Sequence, residues 1–278
     1  MSAVLIAAAV ALAAQPGGLD RARELYQHTE YGAALNAIGP PTTPAETLLA
    51  GQAAFQLEDY KLATTHLEKA VELEPGNARA HHWLGKTYGR RAETASFFSA
   101  PGLASRCRRE FERAVELDPA NLDALADLFE YYLEAPGFLG GGRDKAADAA
   151  RRLGRANGAR GENALARMAE KDKKFDEAER HWKRAAELEA NEPGRIADVA
   201  RFLARRGRMA ESDEWFEKAR KLTPEKPAVW YAQAETWIEA KRNAAEARAL
   251  LERYIASKAL TPDDPTRTEA RRLVGRAK

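Results

Sequence analysis

Small and large apolar residues alternate with charged ones along most of this chain, at helical spacing. Ala63, Leu67 and Ala70 fall on one face of a helix whose other positions are polar. Cys107, Phe111 and Ala114 repeat the arrangement, as do Ala178, Trp182 and Ala185, then Ser212, Phe216 and Ala219. Residues three and four apart share a face of an α-helix, so each set is a narrow apolar stripe. Two of the stripes end in the same punctuation, Glu74-Pro75-Gly76-Asn77 and Asp118-Pro119-Ala120-Asn121, which stops one helix and opens another. The phrase returns roughly every 34 residues, and a period of this size marks a stack of like helix pairs rather than one globular core. Few segments carry the two-residue period of a strand.

The first helices of the pairs carry their own signature. Trp83, Leu84, Gly85 and Tyr88 stand together in one unit, and Gly51, Ala200 and Ala234 fill the small position in others. Small side chains let neighbouring helices approach closely, and large ones fill the space between them. With Ala63, Leu67, Ala70 and Pro75, this pattern resembles the tetratricopeptide repeat. The resemblance implies an all-α, right-handed solenoid of about seven helix-turn-helix units, near 17–43, 44–77, 78–121, 122–158, 159–192, 193–226 and 227–262. A capping helix follows within 263–278, with Ala270, Leu273 and Val274 on one face.

Two consecutive units are overlong. Pro75 and Pro119 are 44 residues apart, and the excess lies between the helices, around Phe97, Phe98, Pro101 and Gly102. The next unit carries Pro136, Gly137, Phe138, Leu139 and the run Gly140 to Gly142 in the same place, with Asp144 expected as the N-cap of the helix after it. The two loops lie side by side on one edge of the stack. They either bury Phe97, Phe98, Phe138 and Leu139 against one another or form a lip beside the groove. The turn from Gly141 to Ala146 is similar to turns in exported repeat proteins, among them the TatT-like partners of TRAP solute transporters.

Composition adds limits. Lys and Arg total 44 against 42 Asp and Glu, interspersed as on solvated helix faces. A pI near 8.6 is too mild to mark a nucleic-acid binder. Met1 to Ala14 carry no charge, contain an apolar run and end in a small-x-small site, Ala11-Leu12-Ala13. They read as a short secretory signal peptide, too short for a stable membrane span. The expected location is therefore periplasmic or secreted, with the cytoplasm as the alternative, the segment then being an Ala-rich first helix. Cys107 is the single cysteine and takes a position filled by Ala or Ser in other copies, so it reads as a packing residue.

No set of residues assembles an active site. The five histidines are scattered, and the adjacent pair His81 and His82 point about 100° apart on a helix. Metal-protease, zinc-cysteine and nucleophile-elbow motifs do not occur. Gly85-Lys86-Thr87 lies inside a helix with Ala80 where a phosphate loop needs glycine. Glu58-Asp59, Asp213-Glu214 and Asp263-Asp264 read as solvated charge. No cofactor, metal or catalysis is expected.

The repeat resemblance implies that first helices line a concave groove. Carried onto this chain, it puts Leu48, Gln52 and Phe55 there, then Arg79, His82, Lys86 and Arg90 as a basic row. Asp123, Glu130, Glu134, Arg160, Asn163, Arg167, Arg201, Arg205, Tyr231, Glu235 and Ile238 follow. Basic rows can clamp a carboxylate or an acidic peptide, whereas alternating rungs can also pair with one another. The function expected is a non-enzymatic scaffold for a protein or peptide partner, with a small-ligand component of a solute transport system as the alternative.

Overall fold

The computed structural model describes residues 18–277, which contain helices and turns and no strand. The leader reading of Met1 to Ala14 lies outside the described residues. Fourteen helices form consecutive pairs: α1 (Gly18–Gln27) with α2 (Tyr31–Ile38), α3 (Pro44–Gln56) with α4 (Tyr60–Leu73), α5 (Ala78–Glu93) with α6 (Ala100–Leu117), and α7 (Leu122–Glu134) with α8 (Arg143–Ala156). The series continues with α9 (Gly158–Lys171) and α10 (Phe175–Leu188), α11 (Pro193–Arg205) and α12 (Met209–Leu222), then α13 (Pro227–Glu239) and α14 (Ala244–Ala256). A last helix, α15 (Arg267–Arg276), packs on α13 and α14.

The recurring phrase has a direct local cause. Asn77 closes one unit and caps the next, its Oδ1 accepting from the Ala80 N–H at 3.0 Å. Asn121 does the same for Ala124 at 3.0 Å, and Asn157 for Arg160 at 2.9 Å. Each fills one of the donors that a helix start leaves unpaired. Thr43 with Glu46, and Thr266 with Glu269, form full capping boxes at α3 and α15. Short turns within pairs share a left-handed residue at Thr29, Glu58, Lys173, Gly207 and Lys241.

The small positions mark close helix crossings. A Cβ on Gly51 would lie 2.4 Å from Leu67, and one on Gly85 would lie 2.5 Å from the Phe111 ring. Gly161 meets backbone instead: its Cβ would sit 2.4 Å from the Gly154 Cα, where α8 and α9 cross. The stripe residues are the core, with Leu67, Ala114, Ala178 and Phe216 fully buried. Cys107 is buried among them, and burial pushes its thiol pKa up to about 12, which leaves it unreactive at neutral pH.

Three local expectations change. Asp144 lies inside the first turn of α8, whose N-cap is Gly142, because Gly140 and Gly142 take positive φ and let the helix start at Arg143. Phe97, Phe98 and Phe138 are 86%, 93% and 83% exposed, so the loops bury no aromatic cluster. Phe97 and Phe98 touch only edge to face, and the second loop settles by placing Gly140 against the Arg108 side chain. Asp213 is not merely solvated: it accepts from Trp237 Nε1 at 2.8 Å and from Arg242 at 2.6 Å.

Candidate functional site: a cavity inside a closed solenoid

The stack curls until its two ends meet. Gln56 Nε2 at the end of α3 donates to the Pro262 carbonyl at 2.7 Å. Arg267 donates to Thr29 Oγ1 in the first turn and also to the carbonyls of Ile255 and Ser257, which ties α14 to the first pair. Arg272 on α15 pairs with Glu58 in the turn after α3, and Arg90 Nη2 approaches Glu269 at 3.7 Å. Glu58 therefore belongs to the closure rather than to a solvated surface. The concave groove becomes a cavity of about 1190 Å³, bounded by α3, α5, α7 and α13 and by the acidic turn from Pro262 to Thr266.

Along the far wall the charged rungs pair between neighbouring first helices. Arg160 donates to Asp123 at 2.7 Å, and Lys171 to Glu134 at 2.5 Å. Arg167 holds Glu130 with two bonds of 3.1 and 2.8 Å. Arg205 meets Glu170 at 2.9 Å, and Arg201 meets Glu235 at 3.1 Å. Burial pushes the Glu235 carboxyl up against the pull of Arg201. This ladder already engages Glu130, Arg167 and Arg201. Glu130 and Arg167 fall outside the cavity lining, and Glu130 borders a smaller recess beside Asn163.

The α5 row differs. Arg79, His82, Lys86 and Arg90 all line the cavity. His82 Nε2 meets Asp127 at 2.7 Å, and Arg90 meets Glu93 at 3.0 Å. Arg79 and Lys86 have no carboxylate within 4 Å among the described residues. The buried amide of Gln52, turned with its oxygen toward them, accepts from Arg79 Nε at 3.0 Å and Trp83 Nε1 at 2.6 Å. The Lys86 ammonium lies 4.4 Å from the Trp83 ring centroid and 5.6 Å from that of Phe55. Two cations are thus positioned by neutral groups, with an aromatic platform between them. Asp263 and Asp264 of the acidic turn line the same cavity.

Sequence reasoning placed the α5 row but missed Trp83 and Tyr60 as lining residues, and missed the wall made by residues 262–269. The loop residues Phe97, Phe98, Phe138 and Leu139 do not line this cavity. Among the described residues, no group of three or more His, Cys, Asp or Glu is arranged to hold a metal ion. No described helix is long and apolar enough to cross a membrane.

A family model described as TPR repeat matches residues 51–91, which span α3 to α5 and include the Trp83 platform. The chain has the fold of a tetratricopeptide-repeat solenoid. Among solved structures, a tetratricopeptide-repeat protein from Parabacteroides merdae shares 11% identity, covering 94% of this chain and 97% of its own, with a TM-score of 0.59. A thermophilic TPR protein of Thermus thermophilus shares 18% identity over 67% of this chain and 97% of its own, with a TM-score of 0.55. Yeast Tom70 shares 17%, covering 90% of this chain and 49% of its own, also at 0.55. At these identities the likeness is one of fold. Among curated proteins, the O-mannosyl-transferase Tmtc2 of Drosophila melanogaster is 40% identical over 62 residues, 22% of this chain and 7% of that protein.

Proposed function

We propose that this TPR chain is a non-enzymatic binding scaffold whose cavity takes a short acidic peptide segment, with a carboxylate on Arg79 and Lys86. One observation carries the reading: the other cavity cations have acidic partners, while these two are held by Gln52, Trp83 and Phe55. A carboxylate entering there gains charge-assisted hydrogen bonds without breaking an existing pair. The aromatic faces beside it offer apolar contact to the adjoining residue. Closure of the groove favours a compact segment over a long helix. The same geometry supports a small anionic solute as the second reading, with a role beside a solute transport system. The uncharged apolar leader, Met1 to Ala14, supports an envelope location.

The test is a fluorescence titration with a six-residue Asp/Glu peptide and its Lys counterpart, on the wild type and on Arg79→Ala/Lys86→Ala. The acidic peptide is expected to bind in a salt-sensitive manner and the basic one not to. The double variant is expected to lose binding while keeping its circular dichroism. Equal binding of both peptides, or full binding by a folded double variant, overturns the proposal.

A further inference from the structure

The segment that closes the cavity is built in two halves with different chemistry. Ala270 and Leu273 of α15 are buried, and with Val274 they join a cluster that includes Tyr231, Leu251 and Tyr254. That half anchors the segment to its own end of the stack. The hydrogen bonds and ion pairs to the other end are Arg272 with Glu58, Arg267 with Thr29, Gln56 with the Pro262 carbonyl, and Arg90 with Glu269. The Arg272 side chain is 56% exposed and that of Arg90 40% exposed. Exposed pairs of this kind are individually weak and screened by salt. The polar latch can therefore loosen under salt, and parting of the ends would open the recess that Tyr31 and Leu57 share with Leu260 and Pro265.

The same segment brings acids into the cavity that holds the free cations. Asp263 lines the cavity with Arg79, and both lie near the buried Tyr26 hydroxyl. Glu269 reaches Arg90 at 3.7 Å. We infer that the acidic turn and the start of α15 form an intramolecular plug, which occupies the mouth of the carboxylate site and exchanges with an acidic ligand. This rests on the reading of the cavity as a carboxylate site. It adds that the chain competes for its own site, so that apparent affinity is reduced by the fraction of closed molecules. The latch is what sets that fraction.

Two variants test it from opposite sides, with the six-residue Asp/Glu peptide as probe. Arg272→Glu sets two carboxylates against each other at the latch, and the double reversal Glu58→Arg/Arg272→Glu restores the pair. Asp263→Asn/Glu269→Gln leaves the Arg272–Glu58 pair and the Arg267 and Gln56 bonds in place but neutralises the plug, and glutamine at 269 keeps the capping box. Arg272→Glu is expected to bind the peptide several-fold more tightly than wild type, and the double reversal to return toward the wild-type value. Asp263→Asn/Glu269→Gln is expected to bind more tightly also, and it decides the matter if Arg272→Glu fails to fold. Wild-type binding that neither change strengthens overturns the plug and leaves the carboxylate site standing. Absence of binding in every form overturns the carboxylate site and the plug with it.

Discussion

Replacing Gly161 with alanine tests the packing that sets the curvature of the stack. Intrinsic helix propensity favours the change by about 1 kcal/mol, since glycine is the poorer helix former. The structure opposes it. The new methyl would stand 2.4 Å from the Gly154 Cα and 2.9 Å from the Gly154 nitrogen. Carbon atoms in good contact stay ~3.5–4.0 Å apart, so α8 and α9 would have to separate by roughly 1 Å. Overpacking of this kind costs about 1–3 kcal/mol, and backbone cannot rotate away as a side chain can. The net expectation is a loss of roughly 0–2 kcal/mol in place of the gain that propensity alone would give. Gly85→Ala should lose less, because the obstacle at 2.5 Å is the Phe111 ring, which can swing. Gly102→Ala, in the first turn of α6 with nothing within 4 Å, should gain stability. Urea unfolding followed by far-UV circular dichroism gives the order directly. Midpoints of the same transition are compared, because repeat arrays can unfold less than fully cooperatively. A Gly161→Ala protein more stable than wild type by the propensity gain of about 1 kcal/mol would refute the close-crossing argument.

Three further outcomes are expected. A double-mutant cycle on Arg167 and Glu130 should give a coupling of at most about 1 kcal/mol despite two hydrogen bonds, since both side chains are more than a third exposed; a value well above that would mean the ladder is a principal support of the fold. Phe97→Ser/Phe98→Ser should leave the melting temperature unchanged, within about 0.5 kcal/mol of stability, because neither ring is buried; a marked fall would show that the loop packs on something. His81 has acceptors on both ring nitrogens, Glu110 at 2.6 Å and the Pro75 carbonyl at 3.0 Å, which suits the doubly protonated ring. Burial lowers its pKa, but these partners outweigh burial and the net shift is upward. The stabilisation is then fully present below the ordinary histidine value and is lost as pH rises through the raised one. His81→Gln should therefore narrow its stability deficit as pH rises across that window, and a deficit independent of pH would contradict the assignment.

Much of the fold was legible because its causes are local. The stripes, the Pro-x-Asn punctuation and the small positions each act within one unit or between neighbours, so a period in sequence becomes a period in space. Asn77 and Asn121 show this best, being both the end of the repeated phrase and the cap of the next helix. The α5 row was legible for the same reason. The closed cavity was not. Gln56 meets Pro262 across 206 residues and Arg267 meets Thr29 across 238, and no local pattern encodes such contacts. They follow from the summed rotation of every unit, including the two with insertions. Glu58 read as solvated because its partner, Arg272, lies at the opposite end of the chain. The loop phenylalanines stayed open between burial and a lip, since an apolar residue in a loop carries no sign of what covers it.

Closure turns an open groove into a cavity, and the carboxylate site and its plug both depend on it. Its direct test is the distance in solution between a label in the first helix pair and one on α15. Gly32→Cys and Arg271→Cys, in a Cys107→Ala background, place the labels on either side of the recess where the two ends meet. Pulsed electron–electron dipolar spectroscopy at low salt should return one narrow population of short distances. A broad distribution extending to long distances would contradict closure and return the groove to an open form.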